Sequence, residues 1–237
     1  MIEMFYSFMH RFLQRSLLCI PKLSEMRLVS SKTMAFLRVW HYISRAKIKG
    51  DYLEFGVYEG TSFDLALRAA SKFYPFENFH PRFFAFDSFE GLPSLSASRD
   101  APNVFIPGEY QASEEKFKRN IRTAARSAEV HITKGFYKDS LTRGISEQHK
   151  LTSAAFVNID CDLYESTMEA LRFVTPILQS GSVLFFDDWY FSGGNMKLGE
   201  AGACHDWLKN NPEIRLYDFG DVGIMGKLFI VNKELGS

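Results

Sequence analysis

The sequence has no excess of charge of either sign, because its 28 Lys and Arg residues balance its 28 Asp and Glu residues. It therefore offers no basic field for nucleic acid, and a small or neutral partner is expected. Cysteine is also scarce, and Cys19, Cys161 and Cys204 form no CxxC pair. This pattern argues against a disulfide framework or a zinc site and predicts a cytoplasmic location, where thiols stay reduced.

Long hydrophobic runs are missing as well. A membrane span requires roughly 18 uninterrupted apolar residues, and Glu3, Arg11 and Arg15 interrupt the apolar N-terminus, which also lacks the basic start of a signal peptide. Apolar residues there recur at helical spacing: Phe5, Phe8, Met9, Phe12 and Leu13. They predict an amphipathic helix that docks on its own domain or on a partner subunit, with interfacial membrane contact as the alternative.

The rest of the chain alternates apolar strands with amphipathic helices. Most strands are apolar on both faces, which is typical of a parallel sheet covered by helices on each side. The last two strands have no helix between them and predict a hairpin with one antiparallel strand. The expected organisation is an N-terminal helical extension, residues 1–30, followed by one α/β domain, residues 31–237.

The first strand ends in a glycine-rich turn, LEFGVYEGTS at residues 53–62, that lacks the GxGxxG pattern and a phosphate-binding lysine. Gly56 and Gly60 permit a tight turn and close approach of a ligand, although such turns are also common without one. Glu54 suits an ammonium or hydroxyl group better than a phosphate. Asp87 ends the second strand, where nucleoside-binding sheets place an acid on the ribose. Together these residues indicate a nucleoside ligand that need not carry phosphate.

Two further strands end in pairs of acids. Asp160 and Asp162 lie in FVNIDCDLYEST, and Asp187 and Asp188 lie in VLFFDDW. Asp160 and Asp187 are 27 residues apart (187 − 160), which accommodates one helix and one strand and predicts neighbouring strands. Three converging carboxylates, those of Asp160, Asp187 and Asp188, favour Mg²⁺, with Mn²⁺ or Ca²⁺ possible as replacements. Asp162 precedes a predicted helix and is interpreted as its cap or as an assisting acid.

Five segments together resemble the macrocin O-methyltransferase (TylF-type) family: LEFGVYEGTS, AFDSFEGLP, GEY, NIDCDLYESTMEAL and FFDDW. These class I enzymes use S-adenosylmethionine to methylate sugar hydroxyls on natural products. The resemblance covers residues 30–232. It implies a Rossmann-like, seven-stranded, mostly parallel sheet in the order 3-2-1-4-5-7-6, with strand 7 antiparallel and helices on both faces.

The resemblance also implies the site residues. S-adenosylmethionine would be held by Glu54, Gly56, Tyr58, Gly60, Thr61, Ser62, Asp87, Ser88, Gly135, Phe136 and Asp160. By similarity to metal-dependent relatives, the ligands of Mg²⁺ would be Asp160, Asp187 and Asp188. The candidate catalytic residues are Asp160, Asp162 and His205.

The expected reaction is methylation of a hydroxyl of a sugar-containing small molecule. A cation near the hydroxyl would lower its pKa, and Asp160 or Asp162 would accept the proton. His205 is a further candidate, with packing as its alternative role. The loop of residues 90–112 would close over the cofactor, and its Tyr110 would contact the acceptor.

Departures and alternatives limit this expectation. Glu59 stands where the family commonly has a basic residue, and residues 190–207 replace a GQR-like turn, so a macrolide sugar is not assumed. An NAD-linked oxidoreductase is the second hypothesis, disfavoured by the missing GxGxxG. A non-catalytic partner subunit is the third, disfavoured by the acidic trio. A homo-oligomer joined through the N-terminal helices is also expected.

Overall fold

The protein is described by a computed structural model that covers residues 21–73, 79–94, 99–100, 105–193 and 195–234, with side chains from residue 31 onward. One sheet contains all seven strands, in the order β3-β2-β1-β4-β5-β7-β6. Strands β1 to β5 pair in parallel, and β7 runs antiparallel to both β5 and β6. The predicted strand order and the predicted terminal hairpin are therefore confirmed. The strands are β1 (Asp51–Phe55), β2 (Phe83–Asp87), β3 (Val130–Lys134), β4 (Ala154–Ile159), β5 (Leu178–Phe186), β6 (Ile214–Val222) and β7 (Gly226–Lys233).

Helices cover both faces of this sheet. Helices α1, α2 and α3 pack on one face, and α6 and α7 pack on the other. The helices are α1 (Pro21–Ala46), α2 (Thr61–Phe73), α3 (Glu114–Ile121), α4 (Tyr137–Ser140), α5 (Arg143–Gln148), α6 (Tyr164–Val174) and α7 (Gly199–Lys209). Two 3₁₀ turns, Ala124–Ser127 and Thr175–Ile177, follow α3 and α6.

The central strands bury side chains on both faces, which explains why they are apolar throughout. In β1, Tyr52 belongs to the hydrophobic cluster beneath α1 and α2, whereas Leu53 and Phe55 belong to the cluster beneath α6. All three are fully buried. Burial on both sides favours a continuous apolar run over strict alternation.

Helix α1 belongs to the core on its C-terminal part. Phe36, Trp40 and Ile43 are fully buried, and the Phe36 ring packs edge-on against Phe156 of β4 at 5.1 Å. The helix begins at Pro21, so the expected division between residues 1–30 and the following domain falls inside a continuous helix. The amphipathic segment from residue 5 to residue 13 lies outside the described residues. Within the described part of the chain, no helix is long and apolar enough to span a bilayer.

Candidate active site

The carboxyl ends of β1 and β4 are in close contact at Gly56, the residue that follows β1. A Cβ atom at this position would lie 1.8 Å from the carbonyl oxygen of Asp160, and the φ of Gly56 is +83°. Side chains rarely adopt this φ, and no side chain fits the space, so only glycine is compatible with the turn. The glycine-rich turn was expected to let a ligand approach the backbone closely. In the structure, the group that approaches Gly56 is the carbonyl of Asp160 on the neighbouring strand.

Asp87, the last residue of β2, is held by three backbone amides. Its Oδ2 atom accepts hydrogen bonds from the amides of Val57 (2.8 Å) and Tyr58 (3.0 Å), and its Oδ1 atom accepts one from Phe89 (2.7 Å). A carboxylate has about four acceptor positions, so one is left for a ligand. The amides therefore fix this carboxylate in one orientation.

Glu54 lies behind the turn. Its fully buried carboxylate accepts hydrogen bonds from the Tyr52 hydroxyl and, at 2.5 Å, from the Ser62 hydroxyl. Burial raises the pKa of Glu54 to about 7, although the two hydroxyl bonds favour the ionised form. The expectation that Glu54 meets an ammonium or hydroxyl group of a ligand is corrected, because Tyr52 and Ser62 supply those hydroxyls.

Asp160 and Asp187 lie side by side because the parallel ladder continues past the strand ends. The Asp160 amide donates to the Phe55 carbonyl (2.9 Å), and the Asp187 amide donates to the Ile159 carbonyl (3.0 Å). Ile159 of β4 pairs with Phe186 of β5, so the next residue of each strand meets its counterpart. The two strands are neighbours, as the spacing in the sequence predicts.

A lysine from α1 bridges these two carboxylates. The Lys32 Nζ atom lies 2.8 Å from Asp187 Oδ2 and 3.2 Å from Asp160 Oδ2. Burial disfavours the charged form, but the two carboxylates outweigh this effect and raise the pKa of Lys32 well above its ordinary value. We call the strand ends that carry Asp160 and Asp187 the acidic edge of the sheet. This acidic edge therefore has a cation supplied by the chain itself.

Lys32 is a site residue that the sequence analysis missed, although a signal for it exists. Lys32, Phe36, Trp40 and Ile43 are spaced by four, four and three residues along α1, which places them on one helix face. The three apolar members are fully buried against the sheet. A lysine that continues such a buried stripe is directed at the sheet and not at solvent.

Asp162 and Asp188 form a second acidic pair beside the first. Burial raises the pKa of both carboxyl groups, and the hydrogen bond between them raises that of Asp162 further and lowers that of Asp188. The pKa shift is the larger for Asp162, whose pKa rises to about 9, so a proton shared by the pair is favoured on Asp162. The interpretation of Asp162 as a helix cap is wrong, because the first amide of α6, that of Tyr164, donates to Asp100 at 2.8 Å.

Glu200 in the first turn of α7 links the two acidic strand ends from beneath. Its Oε1 atom accepts the Cys161 amide (3.2 Å), and its Oε2 atom accepts the Asp188 amide (2.9 Å). Its side chain is almost fully buried, and burial raises its pKa well above the usual range. Glu200 is a second site residue that no local pattern reveals, because its partners are backbone groups 39 and 12 residues away.

These elements line a cavity of about 810 Å³ at the carboxyl edge of the sheet. Several predicted site residues line it: Gly56, Tyr58, Thr61, Ser62, Asp87, Ser88, Phe136, Asp160, Asp162, Asp187 and Asp188. The structure thus brings both groups of strand-end residues to one space. Four predicted residues do not line it: Glu54, Gly60, Gly135 and His205.

Three of those four have other positions that explain the difference. A Cβ atom at Gly60 would lie 2.8 Å from the Phe117 ring, so Gly60 makes room for α3. Gly135 donates its amide to the Asp87 carbonyl at 2.9 Å and extends the ladder between β2 and β3. His205 is exposed on α7, so its expected catalytic role is not supported by its position.

Aromatic side chains line the cavity on the side of the loops. The Tyr58 and Tyr110 rings meet edge to face at 6.1 Å, and the Phe105 and Phe191 rings stack at 5.0 Å. All four rings belong to residues of the cavity wall. Tyr110, expected to contact the acceptor, is half exposed here.

The predicted magnesium ligands do not form a metal site in this arrangement. Among the described residues, no group of three or more His, Cys, Asp or Glu side chains is placed to hold a metal ion. The Lys32 ammonium contacts the Oδ2 atoms of Asp160 and Asp187, which are two of the three predicted ligands. The residues present therefore fit an internal ion pair and not a bound magnesium ion.

Comparisons with known proteins agree with this fold. The calicheamicin methyltransferase CalS11 superposes with a TM-score of 0.66 at 17% identity, covering 93% of this chain and 90% of that one. The O-methyltransferase NovP superposes with a TM-score of 0.64 at 20% identity, covering 86% and 80%. At these identities the likeness establishes the fold alone.

Sequence comparisons identify the family. A curated protein of Streptomyces olivaceus, 8-demethyl-8-(2,3-dimethoxy-alpha-L-rhamnosyl)-tetracenomycin-C 4'-O-methyltransferase, is 28% identical over 148 residues, 60% of this chain. The match spans about half of that relative, 54% of its length. The profile of the family described as Macrocin-O-methyltransferase (TylF) matches residues 20–201. The chain therefore belongs to the macrocin O-methyltransferase (TylF) family.

Proposed function

We propose that this protein transfers a methyl group from S-adenosylmethionine to a hydroxyl of a small molecule that carries a sugar. One observation carries the proposal. A single cavity is lined both by the glycine turn with Asp87, where a ribose would bind, and by the four aspartates at the neighbouring strand ends. Family membership supports the same reaction. An NAD-linked oxidoreductase would have no evident use for the acidic side of this cavity.

The cofactor is assigned to the half of the cavity formed by β1 and β2. Asp87 offers its remaining acceptor position to a ribose hydroxyl, and Gly56 lines the cavity in the same half. Phe136, which lines the same cavity, suits the adenine ring by stacking. When bound, S-adenosylmethionine supplies an electrophilic methyl group on a positively charged sulfur.

The acceptor hydroxyl is assigned to the half formed by β4 and β5. Asp188, which accepts a hydrogen bond from Asp162, is the proposed proton acceptor for the hydroxyl. The oxygen–carbon bond forms as the carbon–sulfur bond breaks, the bonding pair stays on sulfur, and the proton passes to the carboxylate. Holding the hydroxyl in line with the methyl group supplies much of the rate gain.

The acceptor class follows from the cavity wall and from the relative. Aromatic faces, such as those of Tyr110 and Phe191, pack well against the C–H faces of sugars and against planar aglycones. The curated relative is named as a 4'-O-methyltransferase of a rhamnosyl tetracenomycin. A deoxysugar glycoside is therefore the first acceptor class to test.

Of the finer expectations, one is set aside and two stay predictions. Magnesium dependence is not carried into this mechanism, because the Lys32 ammonium contacts two of the three predicted ligands. Assembly through the N-terminal helices and a cytoplasmic location are untested.

The direct test combines binding and turnover. Calorimetry with S-adenosylhomocysteine and with NAD should show binding of the first alone. Transfer of a tritiated methyl group should then occur to rhamnosylated acceptors and not to the matching aglycones. Binding of NAD, or labelling of the aglycone in place of the sugar, would contradict the proposal.

A further inference from the structure

A cation of the chain itself occupies the centre of the acidic edge, and this arrangement has a consequence for the chemistry. We propose that Lys32 is the resident cation of the site, in place of a divalent metal, and that methyl transfer is independent of added metal. This inference rests on the proposed function for its catalytic part. Its structural part, the occupancy of the cation position by the ammonium, stands without that function.

The position of the ammonium is fixed by its own contacts and by the packing of the helix that carries it. Its Nζ atom contacts Asp160 and Asp187 at 3.2 Å and 2.8 Å, and it lies 5.6 Å from the centre of the Phe185 ring. One helical turn later, Phe36 is fully buried and packs edge-on against Phe185 at 5.8 Å. Lys32 is therefore anchored by the core and is unlike a mobile surface lysine.

The charges around Lys32 favour a permanent cation. Besides the two contacting carboxylates, Asp188 and Asp162 line the same cavity, and the Glu54 carboxyl faces Lys32 from β1. Without the ammonium, Asp160 and Asp187 would be two adjacent carboxylates that lack the cation now in contact with both, a costly arrangement in a partly buried site.

A metal ion and the ammonium compete for the same oxygens. Mg²⁺ binds oxygens at about 2.0–2.1 Å in near-octahedral geometry, so an ion that bridged the Asp160 and Asp187 carboxylates would meet Nζ, which lies 3.2 Å and 2.8 Å from their Oδ2 atoms. Displacement would leave the Lys32 charge beside a divalent cation, on a helix that the core holds in place. The two occupants therefore exclude each other.

The ammonium can also perform the task of a catalytic cation. It has three N–H donors, of which Asp160 and Asp187 take two in the described structure. The third is available to the acceptor oxygen, whose developing negative charge it would stabilise during methyl transfer. Loss of one such donor typically lowers a rate by about 10²- to 10³-fold.

The test titrates Mn²⁺ into the full-length protein saturated with S-adenosylhomocysteine, with free Mn²⁺ followed by electron paramagnetic resonance. The wild type should show no stoichiometric binding. The Lys32→Met variant should bind Mn²⁺ at least tenfold more tightly, because the competing charge is gone. Lys138→Met, which removes a different lysine from the same cavity wall, should match the wild type. Equal Mn²⁺ affinity in the wild type and Lys32→Met, tight or weak, would overturn the proposal.

Turnover supplies the second, separable result. Wild-type methyl transfer should be unchanged by EDTA, and Lys32→Met should lose at least a hundredfold in kcat while its thermal shift with S-adenosylhomocysteine is retained. Loss of wild-type activity in EDTA, restored by Mg²⁺, would overturn the metal-independent reaction. Failure of the wild type to bind S-adenosylhomocysteine or to methylate any acceptor would instead contradict the proposed function. The Mn²⁺ titration, repeated without S-adenosylhomocysteine, would still decide whether the ammonium or a metal ion occupies the cation position.

Discussion

The two halves of the sheet edge stabilise their carboxylates by different means. On the β1–β2 side, Asp87 is held by backbone amides and Glu54 by neighbouring hydroxyls. On the β4–β5 side, Asp160 and Asp187 share an ammonium from a helix more than 100 residues earlier in the chain. In the first half, uncharged amides and hydroxyls hold the carboxylates in place, which suits the binding of a ligand. The second concentrates charge, which suits a reaction in which a proton and a positive charge move.

The largest expected effect on stability comes from the contact between the two halves, where Gly56 meets the Asp160 carbonyl. Gly56→Ala should destabilise the protein by about 3–5 kcal/mol, since its Cβ atom would overlap the Asp160 carbonyl. Gly108→Ala is a matched control: Gly108 has a φ of +82°, but no atom lies within 4 Å of its Cβ position. The control should lose only about 1 kcal/mol, the cost of the backbone conformation. Equal losses in urea unfolding would show that the contact between the strands does not matter.

Removing the proposed base should affect the acidic half alone. Asp188→Asn should lower kcat by about 10²- to 10³-fold, since the amide cannot accept the proton. The affinity for S-adenosylhomocysteine, measured by calorimetry, should stay within about twofold because the cofactor half is untouched. Asp218→Asn, on the exposed part of β6, is the control for loss of a carboxylate and should leave both quantities unchanged. A matching loss of cofactor affinity would contradict the division into two halves.

The buried carboxylate of Glu54 should make the free energy of unfolding depend on pH. The pKa of Glu54 is raised from 4.5 to about 7 in the folded protein, so its contribution to stability is complete below pH 4.5 and is lost as pH rises through 7. This difference corresponds to about 3 kcal/mol. The free energy of unfolding of the wild type should therefore fall by that amount relative to Glu54→Gln between pH 4.5 and pH 8. Parallel pH profiles for the two proteins would refute the assignment.

The smallest expected effect concerns the ribose position. Asp87→Asn should weaken binding of S-adenosylhomocysteine by about tenfold to a hundredfold, because an amide group replaces an oxygen that accepts backbone N–H bonds. The weaker binding should appear as a higher KM for S-adenosylmethionine, with kcat little changed. A fall in kcat at constant KM would place Asp87 in the reacting half.

Local sequence was sufficient for much of the fold. Ser113 caps α3 by accepting the Lys116 amide at 3.2 Å, and α6 ends two residues before Pro176, both as their residue types predict. The neighbouring positions of Asp160 and Asp187 followed from spacing alone. These features depend on interactions within or between adjacent elements.

The remaining features depend on contacts between distant segments. Asp162 was expected to cap α6, but Asp100, 64 residues from its partner Tyr164, provides the cap. Lys32 contacts Asp160, 128 residues away, because α1 packs against β4 and β5, and no local pattern encodes that placement. Residue type indicated that a cation belonged at the acidic edge, and the packing of α1 determined which cation it is.

The buried carboxylate of Glu200 makes two amides useful as reporters of the site. Those of Cys161 and Asp188 lie beyond the ends of β4 and β5, where amides generally exchange rapidly with solvent. Because both donate to Glu200, neither can exchange until that side chain withdraws. Their deuterium uptake therefore measures how often Glu200 withdraws from the two acidic strand ends, in the resting protein and without any turnover.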